Sequence, residues 1–112
     1  MSLAGDLIRG HPDALILARL LRGDSYGYEI NKTISTISSG RFELKEATLY
    51  TAFKRLEESG YIASYWGDSG AGARRRYYTI TAGGRDAYHR LMVEWLETKE
   101  IMEKLLRMEE GK

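Results

Sequence analysis

The chain has 112 residues, of which 43% are hydrophobic and 29% are charged, a composition typical of one soluble globular domain. It contains no cysteine, which excludes disulfides and thiolate metal sites, and no apolar run long enough to span a membrane. The net charge of +1 favours no particular partner, but residues 41–90 are predominantly basic and residues 91–112 predominantly acidic. We therefore expect a cytoplasmic protein whose middle segment carries most of its positive charge.

The first predicted helix begins at Pro12, because proline loses no hydrogen bond at the first helical position and Asp13 suits the positive end of the helix dipole. Gly23 is its predicted stop. Leucines form its apolar face and two alanines form a strip of small side chains beside that face: Leu17, Leu20, Leu21, Ala14 and Ala18.

The second predicted helix is "YGYEINKTISTI", for which Ser25 is the expected N-terminal cap. Ile30, Ile34 and Ile37 recur in it at spacings of four and three, which is the helical period.

The third predicted helix, "KEATLYTAFKRLEESG", has an apolar face made of Leu49, Ala52, Phe53 and Leu56 and ends at Gly60. Its opposite face carries small side chains, then hydroxyls, then cations, whereas a merely solvated helix favours Glu and Lys. That outward face comprises Ala47, Tyr50, Thr51 and Lys54, with Thr48 and Arg55 at its margin.

Two strand-like segments follow, "YIASYW" and "RRRYYTI", and the glycine-rich segment between them predicts the turn of a β-hairpin. Gly67, Gly70 and Gly72 would allow positive φ in that turn and leave no bulk against a duplex. Arg74, Arg75 and Arg76 could then contact phosphates or enter a narrow minor groove. The alternative is a mobile, solvated loop with an ordinary run of charge.

The same segment contains "GDSGAG", which superficially resembles a hydrolase nucleophile loop or a phosphate-binding loop. Catalysis by Ser69 would need a nearby general base, and the two histidines, His11 and His89, lie in predicted helical contexts. A phosphate-binding loop would need a following lysine and helix, whereas a strand follows here. The sequence therefore predicts no catalytic site, no metal site and no cofactor.

The last predicted helix runs from Ala82, after a cap at Thr81, to about Glu110, which corresponds to roughly 40 Å. It is too long to cover only one side of a small core. Its second half carries a stripe with alternating spacings of four and three, as in the seam of a two-stranded coiled coil, which predicts a dimer interface. The stripe comprises Leu91, Trp95, Thr98, Met102 and Leu105.

Helix, helix, turn, helix and a basic-tipped hairpin is the order of a winged helix-turn-helix, an α+β and mostly α fold whose third helix enters the major groove. We assign residues 1–81 to this DNA-binding domain and residues 82–112 to a dimerisation helix. Three segments, "YGYEI", "TLYTAFKRLEESGYI" and "RRYYTITAGGR", occur in the order found in the PadR-like transcriptional regulators, which the chain resembles from about Leu15 through Arg85. It departs from that pattern at Lys45, Glu46 and Ala47, where a small polar residue and glycine are common, and at Thr51, where proline is common.

The resemblance implies a homodimer that binds palindromic operator DNA, usually as a repressor released by a small molecule. The single long C-terminal helix is similar to that of a multidrug-responsive subgroup, in which a tryptophan lines an apolar slot at the dimer centre. Trp95, with Ala14 and Ala18, is accordingly an expected site for a small aromatic ligand, although Trp95 could equally be a plain interface anchor. An interaction module that docks protein rather than DNA is the alternative function. The predicted DNA-binding residues are Tyr26, Thr48, Tyr50, Thr51, Lys54, Arg55, Arg74, Arg75 and Arg76.

Overall fold

The computed structural model describes residues 11–68 and 74–111, and within them the chain forms four helices and one two-stranded antiparallel sheet. In chain order the elements are α1 (Pro12–Leu20), α2 (Gly27–Ile37), α3 (Glu46–Glu58), β1 (Ile62–Asp68), β2 (Arg74–Ile80) and α4 (Ala82–Arg107). This order confirms the predicted winged helix-turn-helix with a long C-terminal helix.

The hydrophobic core lies where the three short helices meet the hairpin. Leu49, Ala52, Phe53 and Leu56, the predicted inner face of α3, are all buried. Phe53 stacks on Tyr78 of β2 with its ring centroid 3.9 Å away. Because burying a large apolar side chain contributes about 1.5–3 kcal/mol, this face fixes the rotation of α3 about its axis. The rotation in turn determines which residues α3 presents outwards.

The start of α2 differs from the prediction that Ser25 caps it. Tyr26 occupies the N-cap position, with extended backbone and without a side-chain capping bond. Ser25 is fully buried; its backbone exchanges two hydrogen bonds with Tyr78, and its hydroxyl donates to Glu29 at 2.6 Å. Ser25 thus forms an isolated antiparallel bridge to β2, and this pairing replaces the local cap.

The long helix α4 begins as predicted, because the Thr81 hydroxyl accepts a hydrogen bond from the Gly84 N–H at 3.0 Å. Its end was predicted at Glu110 but lies at Arg107, where Met108 adopts a left-handed conformation with φ of 52°. Carboxylates are unfavourable at the negative end of a helix dipole, so the acidic residues that follow Met108 do not extend the helix.

The hairpin is set by the register of β1 and β2, in which Trp66 pairs with Arg76, Gly67 with Arg75, and Asp68 with Arg74. The strand β1 was predicted to end at Trp66 but continues to Asp68. Alternate residues of a strand point to opposite faces, so the three arginines divide between two faces of the hairpin.

Candidate nucleic-acid interface

The outward face of α3 is the first part of the candidate interface. Tyr50, Thr51 and Lys54 are exposed there, whereas Thr48 is half-buried. Tyr50 is 51% exposed and is nevertheless held in place, since its ring packs edge-to-face on Phe53 with centroids 5.6 Å apart. Its hydroxyl lies so close to Gly27 that a Cβ on that glycine would be 3.0 Å away. The structure therefore positions Tyr50 beside the first turn of α2.

Arg55, at the margin of the same helix, is engaged in a bidentate ion pair with Asp13 of α1. One of its two bonds joins Arg55 Nε to Asp13 Oδ2 at 3.1 Å. Hydrogen bonding to Asp13 raises the pKa of Arg55, as expected for a cation held by a carboxylate. In this structure Arg55 links α3, the predicted recognition helix, to α1 rather than extending outwards.

One face of the hairpin forms a tyrosine cluster that contacts α2. Tyr65 and Tyr77 stack with centroids 5.6 Å apart, and Tyr26 packs edge-to-face on Tyr77 at 5.4 Å. The guanidinium of Arg75 lies 4.5 Å from the centre of the Tyr26 ring. Cation–π contacts of this kind orient a guanidinium while its in-plane N–H groups can still donate. Tyr26 thus positions Arg75 between the hairpin, which is the wing of this fold, and the start of α2.

Gly67 has a different role from the one predicted. It is not among the described glycines with positive φ, and it lies within β1 opposite Arg75. A Cβ at Gly67 would approach the Tyr77 ring to 2.7 Å, so glycine is needed for the ring to lie across the strand. Gly70 and Gly72, predicted for the turn, and Ser69 lie outside the described residues.

The other hairpin face carries Trp66, a residue for which the sequence predicts no role. The guanidinium carbons of Arg74 and Arg76 lie 5.5 and 5.8 Å from its ring. Arg76 donates to the Ser64 hydroxyl at 2.8 Å and lies 3.6 Å from a carboxylate oxygen of Glu57 on α3. Of the three wing arginines, Arg76 is therefore the one that contacts a carboxylate of the recognition helix. Period-two alternation could have identified Trp66, because it places that ring on the same face as two arginines.

Asp24 lies in the loop between α1 and α2 and joins that loop to the hairpin. Its role, too, was not predicted from the sequence. The Tyr65 hydroxyl donates a hydrogen bond to its carboxylate at 2.6 Å. This bond, followed by one from Thr79, lowers the pKa of Asp24, and the same contact raises the pKa of Tyr65. The base of the wing is thus tied to the helical domain.

A trough between α3 and the hairpin joins the outward face of α3 to the hairpin face that carries Arg76. Its cavity volume is about 500 Å³, and it is lined by Tyr50 and Lys54 of the outward helix face and by Arg76 of the wing. Phe53 and Tyr78 form its floor, and Glu57 and Glu58 stand at one end. The trough places the predicted recognition helix and the wing on the same side of the molecule.

A second cavity lies between α1 and α4 and brings together Ala14, Ala18 and Trp95, the three predicted effector-site residues. Its volume is about 310 Å³, and its lining is almost entirely apolar. The His11 ring packs edge-to-face on Trp95 with centroids 5.6 Å apart. Its other lining residues, which were not predicted from the sequence, include His11, Leu15, Tyr88 and Met92. They come from two helices far apart in sequence, so only the fold brings them to Trp95.

The predicted dimer stripe follows α4 away from the core. Leu91 is half-buried against its own domain, whereas Trp95, Thr98, Met102 and Leu105 are exposed. Leu105 is 59% exposed, and the nearby Leu96, Ile101 and Leu106 are also largely exposed. An exposed apolar stripe of this kind favours an interaction surface.

The two histidines have structural surroundings, since His11 packs on Trp95 and His89 on Tyr88. Residues 11–68 and 74–111 contain no cluster of three histidine or acidic side chains that could hold a metal ion. Along the same residues, no helix has both the length and the apolar character needed to cross a membrane.

Comparison with known proteins agrees with this fold. Residues 16–90 match the PadR-like family of transcriptional regulators. The chain is 47% identical over 98 residues to an uncharacterised protein of Lysinibacillus sphaericus, covering 88% of this chain and 90% of that protein.

Solved structures give the same result. A transcriptional regulator from Clostridium thermocellum has 47% identity and a TM-score of 0.81, with 88% of this chain and 96% of that one covered. A PadR family regulator from Clostridium difficile has 38% identity and a TM-score of 0.73, with 86% and 98% covered. The fold and these comparisons define a DNA-binding transcriptional regulator of the winged-helix class. The chain belongs to the PadR-like family.

Proposed function

We propose that the protein is a homodimeric repressor that binds palindromic operator DNA through α3 and the hairpin wing and is released by a small aromatic or apolar effector. The observation that carries DNA binding is the trough shared by Tyr50, Lys54 and Arg76. In winged helix-turn-helix proteins the recognition helix enters the major groove, so a wing on the same side reaches the adjacent backbone or minor groove.

The contacts divide into positioning and reading. Lys54 and the three hairpin arginines, Arg74 to Arg76, supply charge for phosphates, which gives affinity without sequence preference. Thr51 is exposed in the middle of the outward face and is short enough to approach base edges, so we assign base reading to it. Tyr50, held by Phe53 and Gly27, positions the helix on the backbone.

Dimerisation through α4 is supported by the exposed stripe from Trp95 to Leu105. Burying that stripe against a second copy would remove apolar side chains from water and fix the distance between the two DNA-binding domains of the dimer. For both domains to engage one face of the duplex, the half-sites must lie about 34 Å apart. The length of α4 suits this role, because it extends well beyond the domain that it contacts.

The apolar cavity beside Trp95 supports effector binding. A planar ligand that stacks on the indole would occupy the space between α1 and α4 and change the angle between the DNA-binding domains and the dimer helices. The ligand can weaken DNA binding only if it binds more tightly to the dimer in which the two domains no longer match the half-sites. DNA must then weaken ligand binding by the same factor.

DNA binding is tested by fluorescence anisotropy of a labelled random duplex at about 50 and about 200 mM salt, where phosphate contacts make affinity strongly salt-dependent. We expect clear binding at low salt that weakens steeply at high salt. Absence of binding at both salts, with the chain folded, would contradict the proposal and favour a winged-helix module that docks protein.

The effector proposal is tested by quenching of tryptophan fluorescence with flat aromatic cations and phenolic compounds. The wild-type protein is compared with Trp66→Phe and Trp95→Phe, with and without duplex DNA. We expect saturable quenching that needs Trp95 and weakens when DNA is bound. Quenching that survives Trp95→Phe but disappears in Trp66→Phe would place the ligand at the hairpin, and quenching indifferent to DNA would remove its regulatory role.

A further inference from the structure

Trp66 is an exposed aromatic side chain in a polar, cationic setting. It is 55% exposed, although burying its ring would be favourable, and it lies on β1 directly opposite Arg76. The guanidinium carbons of Arg74 and Arg76 both lie within 6 Å of the ring, at 5.5 and 5.8 Å. The indole therefore holds two cations in place while much of its own surface remains open to solvent.

Trp66 lies beside the trough, on the side nearer the tip of the wing. Arg76 lines the trough together with Tyr50 and Lys54 of α3. Trp66 stands on the same hairpin face as Arg76, and the pairing of Asp68 with Arg74 places Arg74 nearer the wing tip. The ring thus extends the trough from the recognition helix towards the end of the wing. A DNA strand that separates the major groove at α3 from the minor groove at the wing would cross this surface.

We propose that Trp66 is a DNA-contact residue whose indole packs on the sugar–phosphate backbone of that strand and positions Arg74 for an adjacent phosphate. The apolar ring face suits a deoxyribose, and the indole N–H can donate to a phosphate oxygen. An arginine stacked on an aromatic ring keeps its planar fork directed outwards, which suits phosphate recognition. This inference rests on the proposed DNA-binding function and adds an uncharged side chain to the proposed DNA contacts.

The direct test uses the tryptophan itself as the reporter. The chain has two tryptophans, so Trp95→Phe leaves Trp66 as the single emitter. Acrylamide quenching is measured for this variant alone and with saturating unlabelled random duplex, while binding is verified separately by anisotropy. Because packing on a sugar would cover much of the exposed ring, we expect the quenching constant of Trp66 to fall about two-fold or more. Trp66→Phe, in which Trp95 on α4 is the emitter, is the matched control and should show little change.

The outcomes separate this inference from the proposed function. An unchanged Trp66 quenching constant in a sample that anisotropy shows to be saturated overturns the inference and leaves DNA binding standing. Absence of any duplex binding overturns both. A fall for Trp66 without a fall for Trp95 supports the proposed contact.

Affinity measurements provide a second readout. Trp66→Ala should weaken random-duplex binding by about five-fold or more and Trp66→Phe by less, since phenylalanine retains an apolar face and a cation–π partner. The salt slope should fall by less than that of an arginine variant, because indole itself releases no counterion. Wild-type affinity in both variants, with unfolding transitions showing that they are folded, would contradict the contact.

Discussion

Replacing Glu57 with glutamine should tighten DNA binding, although most substitutions at an interface weaken it. Glu57 lies 3.6 Å from Arg76, and the two side chains are 30% and 45% exposed. For Arg76 to reach a phosphate, this pair must open. The carboxylate therefore competes with DNA for the same guanidinium and also places negative charge at one end of the trough.

The magnitude follows from the exposure of the pair. Partly exposed ion pairs are worth about 0.2–1 kcal/mol, which corresponds to about 1.4- to 5-fold in affinity. Removing one negative charge near phosphates adds a salt-dependent contribution that is strongest at low ionic strength. We expect Glu57→Gln to raise random-duplex affinity by about two- to ten-fold at low salt. The Ser64 hydroxyl, which donates to Glu57 at 2.8 Å, can still donate to the glutamine carbonyl, so folding should be little affected.

The assay is anisotropy of a labelled random duplex, with Glu58→Gln as the matched control. Both residues line the same end of the trough, and both substitutions remove one charge from the last turn of α3. The difference between the two variants therefore reports release of Arg76 rather than a general change in charge. Equal gains in the two variants would refute the competition between Glu57 and DNA. Weaker binding by Glu57→Gln would show that the pair positions Arg76 rather than masks it.

Three further predictions concern packing, titration and base reading. Gly84→Ala should destabilise the fold by about 2–4 kcal/mol in urea unfolding, because its Cβ would meet the Tyr61 carbonyl and approach Ile80 to 2.7 Å, whereas Gly83→Ala should be nearly neutral. Asp24→Asn should lower the pKa of Tyr65 towards the ordinary value of a tyrosine in tyrosine-selective NMR titrations, and an unchanged value would contradict the assigned bond. Thr51→Ala should change base preference at symmetric operator positions by about 1–3 kcal/mol in a selection experiment, and a uniform loss of affinity would contradict base reading.

The sequence predicted the features that depend on local chemistry. The inner face of α3 followed from helical periodicity, and the Thr81 cap followed from a hydroxyl placed before the first helical turn. The cap assigned to Ser25 was wrong because backbone pairing with Tyr78, more than fifty residues later, overrides local preference. Gly67 was misread for a similar reason, since its role is to admit the ring of a residue on the opposite strand.

The types of residue in the candidate site could be predicted from the sequence, but the contacts between their side chains could not. Runs of arginine indicated a basic wing, yet nothing local distinguishes Arg76, which contacts Glu57, from Arg75, which stacks on Tyr26. The ion pair between Asp13 and Arg55 spans 42 residues and likewise requires the folded chain. These contacts determine which cations are directed outwards, and they arise from tertiary packing.

The central claim is that α3 and the wing bind DNA together, and the salt dependence of random-duplex affinity tests it most directly. The wild-type protein is compared with Arg74→Ala/Arg75→Ala and with a control, Lys99→Ala/Lys104→Ala, which removes two charges from the exposed surface of α4. Because each phosphate contact contributes about 0.9 to the slope of log affinity against log salt, we expect the wing variant to lose about 1.8 and the control almost nothing. A wing variant with the wild-type slope, or a control that loses as much, would contradict the account.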